Sequence, residues 1–375
     1  MRIKRYILVF VCLFIMLGGR AFAAPVIMPD GGMFDPEYYA SENSDVVAAY
    51  GNDSTLLYMH YCMFGRNEGR LPYEGAEDES NKIVITFTGD CTLGEYRGQG
   101  GGGQFKDYFN SMGPDYFFAN VRTLFASDDV TFINLEGPLT DHPQTVDKTY
   151  PIRGDARNIA CLTGSSVEMC NLANNHTFDC GNAGINQTMN LLASSGIGYC
   201  GNGSIGTVYV KGKTIAFLGY NVLSGNPTRQ MAIDIANAKA TADIVIVQFH
   251  WGIERENIAN ASQRAIAHAA IDAGADFVVG THPHVIQGIE TYNGKTICYS
   301  LGNFCFGANK NPVDKDTFIY RQEFIIGEDG QISYGGHQII PCSISSVANT
   351  NNFQPTILTG DAANRVLSRI AAYSH

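Results

Sequence analysis

Several chemistries are missing from this chain. No CxxC pair occurs among its 10 cysteines, so neither a zinc ribbon nor a compact disulfide framework is indicated. Most of the cysteines sit inside apolar runs and read as small core hydrophobes, with Cys161–Cys170 and Cys180–Cys200 left as open pairings. The glycine-rich run Gly98 to Gly103 lacks the Lys-Ser/Thr of a phosphate-binding P-loop and reads as a surface loop. Basic residues are scarce, 25 Lys and Arg against 36 Asp and Glu, which argues against nucleic acid or anionic lipid as partners. Charged residues make up only 16% and apolar residues 45%, the balance of a globular protein and not of a disordered one. No internal repeat is visible.

Nor is there a comfortable membrane span. The apolar run from Tyr6 to Gly19 is too short, but Arg2, Lys4 and Arg5 precede it and Ala21-Phe22-Ala23 follows it. This is the pattern of a secretory signal peptide over residues 1–23, with cleavage expected after Ala23 and an uncleaved anchor as the alternative. Cleavage removes four basic residues (Arg2, Lys4, Arg5 and Arg20) and takes the formal charge from −11 to −15.

At 375 residues the chain is long enough for one large domain and a small one. Residues 25–76 read as the small unit with its linker. Met33 to Tyr39 opens a helix with Pro36 near its start, Asp45 to Tyr50 and Ser54 to Phe64 continue in helical style, and Gly65 to Arg70 closes the unit. The pattern FDxEYY…NxDV…HY…FGxxEGR resembles a short module attached to secreted and surface proteins, for which attachment or binding is the expectation. The acidic stretch Glu74 to Glu79 reads as a linker.

From residue 80 strands alternate with helices, the signature of a layered α/β domain, expected over 80–345 with an extension at 346–375. Strands are expected at Ile83–Thr88, Val130–Ile133, Val167–Ala173, Ile244–Phe249 and Asp276–Gly280. Helices are expected at Ala183–Ser195, Arg229–Ala240 and Ser262–Ala273, the last capped by Ser262 and closed by Gly274. Antiparallel pairs are expected around Lys211–Lys213, Asn293-Gly294 and Asp329-Gly330.

Five of these strand ends carry residues of ligand type: Asp90, Glu136, Asn175 with His176, His250, and His282 with His284. In layered α/β domains sites form outside the carboxyl ends of the strands, where loops converge over a rigid sheet. His282 and His284, read as part of an extended segment, would point the same way. Each residue alone has an ordinary reading, a turn cap or a satisfied core histidine. Their shared structural position favours a site. Mixed His, carboxylate and amide donors suit a divalent Mn, Fe or Zn ion.

Thr88-Gly89-Asp90, Asn134-Leu135-Glu136, Asn171 to His176 with Asp179 and Gly181, His250-Trp251-Gly252, Gly280 to Val285 with both histidines, and Tyr299 to Phe304 together resemble the CapA family. That family is associated with poly-γ-glutamate capsule synthesis and resembles the calcineurin-like metallophosphoesterases. The resemblance runs from about Asn81 to about Ile340. It implies two mixed β-sheets packed as a sandwich and flanked by helices, with a metal site at one edge. It makes Asp90, Glu136, Asn175, His250, His282 and His284 the metal ligands, with one or two ions bound. Thr92 stands where the phosphoesterase DxH motif has its His, and Glu136 replaces a bridging Asp.

The chemistry so implied is hydrolysis, with His176 as the catalytic histidine and Asp179 orienting its ring. Asn134, Asn174, Trp251 and Asn303 are expected to line the substrate pocket. The implied setting is the cell envelope or exterior, with an anionic surface polymer or a phosphoester as substrate and membrane proteins of a capsule machine as partners. Three activities stay open: a phosphoesterase-like hydrolase, a γ-glutamyl amide hydrolase or transferase, and a non-catalytic polymer-handling subunit.

Overall fold

The computed structural model describes residues 24–28, 32–66, 68–76, 80–96, 98 and 100–374. The expected signal peptide lies outside them. The chain divides into two compact units, up to Asp78 and from Glu79.

The first unit packs helices Pro36–Glu42, Ser44–Tyr50 and Ser54–His60 around Phe34, Tyr39, Val46, Leu57 and Tyr61. Asp35 starts the first helix by accepting hydrogen bonds from the backbone N–H of Glu37 and Tyr38, and Pro36 fits the first turn because its missing N–H would be unused there. Arg70 holds the unit closed through Asp45, Glu68 and the side-chain oxygen of Asn43.

The second unit holds two mixed sheets. The first contains β1 (Lys82–Thr92), β2 (Val130–Leu135), β3 (Met169–Asn171) and β4 (Gly198–Cys200). The second contains β5 (Gly206–Val210), β6 (Lys213–Asn221), β7 (Ile244–His250), β8 (Phe277–Thr281), β9 (Ile289–Tyr292) and β10 (Lys295–Cys298). The chain then returns to the first sheet with β11 (Asn303–Phe306), β12 (Asp316–Ile326), β13 (Ile332–Ser343) and β14 (Thr356–Ile357). Strand order is β14-β13-β12-β1-β2-β3-β4 in the first sheet, with β11 alongside β1, and β9-β10-β8-β7-β6-β5 in the second. β1 to β4 run parallel, as do β6, β7, β8 and β10.

Alternation within the strands explains the layers. On β1, Ile83, Ile85 and Phe87 face the second sheet, where Phe87 stacks on Phe277 with ring centroids 4.3 Å apart. On β7, Ile244 and Ile246 join this inter-sheet core, while Val245, Val247 and Phe249 meet helices on the far side. A strand covered on both faces has to be apolar throughout, which is why residues 244–249 lack polar alternation apart from Gln248. Each fully buried Ile or Phe contributes about 1.5–3 kcal/mol.

Helices α1 (Phe105–Met112) and α2 (Gly181–Ser194) cover the outer face of the first sheet, and α3 (Thr228–Lys239) and α4 (Ala261–Asp272) that of the second. The flanked two-sheet sandwich implied by the sequence resemblance is therefore the observed fold.

Three local readings change. The cap of α4 is Asn260, which exchanges hydrogen bonds with Gln263, and not Ser262. Residues 346–375 end in helix α5 (Gly360–Tyr373), whose Val366 and Ile370 enter the inter-sheet core and whose Arg365 and Arg369 pair with Asp314 and Asp316. Cys161, Cys170 and Cys200 are buried thiols outside any disulfide, so neither proposed pairing is formed.

Candidate metal centre

The first sheet builds its side of the site by register. Asp90, Asn134 and Asn171 are neighbours in one rung across β1, β2 and β3. Asn171 donates through Nδ2 to Asn134 Oδ1 at 2.8 Å, and Asn134 donates through Nδ2 to Asp90 Oδ1 at 2.7 Å. The chain reaches this geometry through Gly89. A Cβ there would lie 1.9 Å from the carbonyl oxygen of Gly302, which accepts the N–H of Asp90 at 3.0 Å. The carboxylate of Asp90 is thus fully buried and aimed.

Glu136 follows β2. Both of its carboxylate oxygens are buried without a hydrogen-bond partner, an expensive state for a charge. Its Oε1 lies 3.8 Å from the Nε2 of each of His176, His250 and His284. Burial, and then the charge of Asp90, pushes its pKa well above the ordinary carboxylate range.

The second sheet contributes His250, the last residue of β7, whose rung neighbour on β8 is Thr281. His250 Nδ1 is 3.0 Å from Thr281 Oγ1, and Nε2 is 2.9 Å from Asn175 Oδ1. Burial lowers its pKa well below the usual value, so the ring is neutral and able to donate a lone pair. His282 is likewise lowered to about 4, by burial and then by His284. For His284 burial pulls downward, but Glu136 and Asp90 outweigh it and the net direction is upward.

His282 and His284 do not lie in an extended segment. β8 ends at Thr281, and both residues have positive φ, 96° and 57°. Their rings nevertheless converge, with centroids 5.7 Å apart and that of His282 4.8 Å from His250. What aims them is a tight turn fastened at its start, where the His282 N–H donates to Asp90 Oδ2 at 3.2 Å. His284 Nδ1 is 2.9 Å from Asn303 Oδ1, the bond to a carbonyl oxygen that leaves Nε2 free to face Glu136.

His176 sits beside the cluster. Its Nδ1 is 2.7 Å from Asp179 Oδ2, and Asp179 is itself fixed by the Ile152 N–H and by Lys148 Nζ at 2.7 Å. Lys148 also donates to the carbonyl of Asn175 at 3.0 Å.

A cavity of about 730 Å3 opens over this floor. His176, His284 and Asn303 reach it, together with Glu254, Arg255 and Lys310. Three residues expected in the pocket do not line this cavity. Asn134 and Asn174 are buried behind it as braces, the latter donating to Leu135 O at 2.9 Å. Trp251 is wholly buried, donates through Nε1 to Tyr299 O and stacks on Phe249, so its size is spent on the core. Lys148, Asn171, Thr281 and Glu254 are members that strand-end reasoning passed over. Asn171 and Thr281 were detectable as polar residues closing apolar strands.

The donor atoms of Asp90, Glu136 and His284 lie within 4.8 Å of one another, and so do those of Glu254, His282 and His284. Two unpartnered carboxylate oxygens, an unpartnered buried Nδ1 on His282 and neutral imidazoles form a donor set that fits a divalent cation.

A family model described as bacterial capsule synthesis protein PGA_cap matches residues 84–308. The chain belongs to this family. It is 35% identical over 248 residues to the PGA biosynthesis protein CapA of Bacillus subtilis (strain 168), covering 60% of this chain and 63% of that protein. To the capsule biosynthesis protein CapA of Bacillus anthracis it is 31% identical over 270 residues, 64% of this chain and 63% of the relative. A probable polyglutamine synthesis accessory protein of Mycobacterium tuberculosis is 30% identical over 208 residues, 47% of this chain and 55% of that one. The chain thus covers less than two thirds of the length of these relatives. Among solved structures, the NAD nucleotidase of Haemophilus influenzae matches 78% of this chain and 63% of its own, at a TM-score of 0.36 and 14% identity, too distant to bear on this chain's chemistry.

Proposed function

We propose that this capsule-synthesis family member is a metal-dependent hydrolase that acts on an anionic surface polymer or a phosphoester. The observation that carries the reading is the placement of His176. Its Nδ1 is tied to the fixed carboxylate of Asp179, its Nε2 faces the Glu136 cluster 3.8 Å away, and the ring lines the cavity. Asp90, Glu136, Asn175, His250, His282 and His284 are the residues that would hold one or two divalent ions of the Mn, Fe or Zn class. Bound there, such an ion supplies Lewis-acid polarisation of the scissile group and acidifies a water towards a pKa of about 7.

The remaining chemistry belongs to the chain. Asp179 accepts the Nδ1 proton of His176 and stabilises the ring when it is charged, so Nε2 is the atom that delivers a proton to a leaving group. Lys148 reaches the Asp179 carboxylate at 2.7 Å and donates to the Asn175 carbonyl at 3.0 Å, so one ammonium ties the residue that orients His176 to the backbone beside it. Asn134 and Asn171 keep the Asp90 carboxylate in place. Arg255 and Lys310 in the cavity wall suit an anionic substrate.

The same reading places the protein outside the membrane after cleavage following Ala23, working beside the membrane proteins of a capsule machine. A second reading, a polymer-handling subunit without turnover, is supported by Thr92, a buried hydroxyl where an imidazole ligand would otherwise rise from β1. His176→Ala separates the two. The hydrolase reading expects the variant to retain fold and metal but to lose about 10²–10⁴-fold in turnover on a panel of phosphoesters and poly-γ-glutamate. An unchanged rate, or polymer binding by wild type without turnover, favours the second.

A further inference from the structure

The hydrolase reading leaves one carboxylate unexplained. Glu254 is exposed in the wall of a cavity that would receive an anion, where its charge repels what Arg255 and Lys310 attract. We propose that Glu254 is a cation ligand, closing the centre from the cavity side with His282 and His284. The inference rests on the metal reading above and adds a ligand to it.

Three observations support it. The donor atoms of the three residues lie within 4.8 Å of one another, a spacing one ion can bridge. His282 Nδ1 is buried and has no hydrogen-bond partner, although the residue is only 6% exposed and its backbone is pinned to Asp90. A ring held that firmly with an idle nitrogen fits a ligand better than a packing group.

The third observation is how Glu254 arrives there. The loop after β7 is fastened to the histidine turn at two points, with Trp251 N–H donating to Thr281 O at 3.1 Å and Arg255 N–H donating to Pro283 O at 2.8 Å. The second of these lies between His282 and His284 and beside Glu254, so carboxylate and imidazoles are held as one unit. β1 cannot contribute another nitrogen, because Thr92 is buried and carries only a hydroxyl. Glu254 supplies from the loop what the strand lacks. With an ion bound, its charge no longer faces the substrate alone.

The test is cation affinity, measured by titrating Mn2+ or Zn2+ into chelator-stripped protein with calorimetry. Glu254→Gln removes the charge at an exposed position and leaves the fold intact, and Glu256→Gln removes an exposed carboxylate two residues along as the electrostatic control. The expected result is a loss of at least about tenfold in affinity, or of one bound ion, for Glu254→Gln only. Binding unchanged in Glu254→Gln, or weakened equally in both variants, overturns the proposal. Wild-type protein that binds no divalent cation overturns it together with the hydrolase reading, whereas wild-type binding matched by Glu254→Gln overturns this inference alone.

Discussion

On the first-sheet side of the centre, Asp90, Asn134 and Asn171 hold their places because three parallel strands are in register and each side chain is hydrogen-bonded to the next. On the second-sheet side, His282 and His284 hang from a turn with two positive φ angles, fastened through backbone contacts to Asp90 and to the loop after β7. Sheet register holds these side chains in place without left-handed backbone, since none of the three has a positive φ, and leaves little room to adjust. A turn of L-residues in the left-handed region is strained and persists only where its surroundings hold it. The strand-borne residues therefore form the fixed half of the site, and the loop-borne residues, with Glu254, form the half that a ligand can complete.

Breaking the rung should have the larger effect. Asn134→Ala leaves Asp90 Oδ1 and the Asn171 amide buried without their main partners. A loss of about 2–4 kcal/mol in unfolding free energy is expected, measured by denaturant titration of stripped protein. A change below experimental error would show that the rung is not what fixes Asp90.

The turn should respond differently, and by less. His282→Ala removes the ring but keeps a Cβ at a φ of 96°, whereas His282→Gly removes both. In stripped protein the Gly variant is expected to be the more stable of the two by about 0.5–1 kcal/mol, the reverse of the usual Ala and Gly order. Both variants lose cation affinity. The ordinary order, Ala above Gly, would mean that the turn carries no strain.

This contrast also explains what the sequence revealed. The strand-borne members of the cluster were legible because an apolar run leading into Asp, Asn or His marks both a buried strand and its carboxyl end, as at Asp90 and His250. The pairing of Asp179 with His176 was legible from their spacing of three residues. Trp251 misled because a large aromatic beside a buried histidine suits a pocket and a core equally, and only the packing against Phe249 and Tyr299 decides. Lys148, Glu254 and the turn at 282–284 depend on contacts between segments distant in sequence, and no local pattern encodes those. The helix Gly360–Tyr373 lies beyond the matched family region, in a segment read only as an extension.

The proposed cation site turns on the unpartnered carboxylate of Glu136, ringed by three imidazoles at 3.8 Å. Thermal unfolding of stripped wild type and Glu136→Gln, with and without Mn2+ or Zn2+, tests it most directly. Wild type should gain about 2.7 kcal/mol at a cation concentration a hundred times the Kd. Glu136→Gln should lose this gain when metal is added, because the carboxylate facing the three imidazoles is gone. A wild type indifferent to every divalent cation, or a Glu136→Gln variant stabilised by metal as strongly as wild type, would contradict the account.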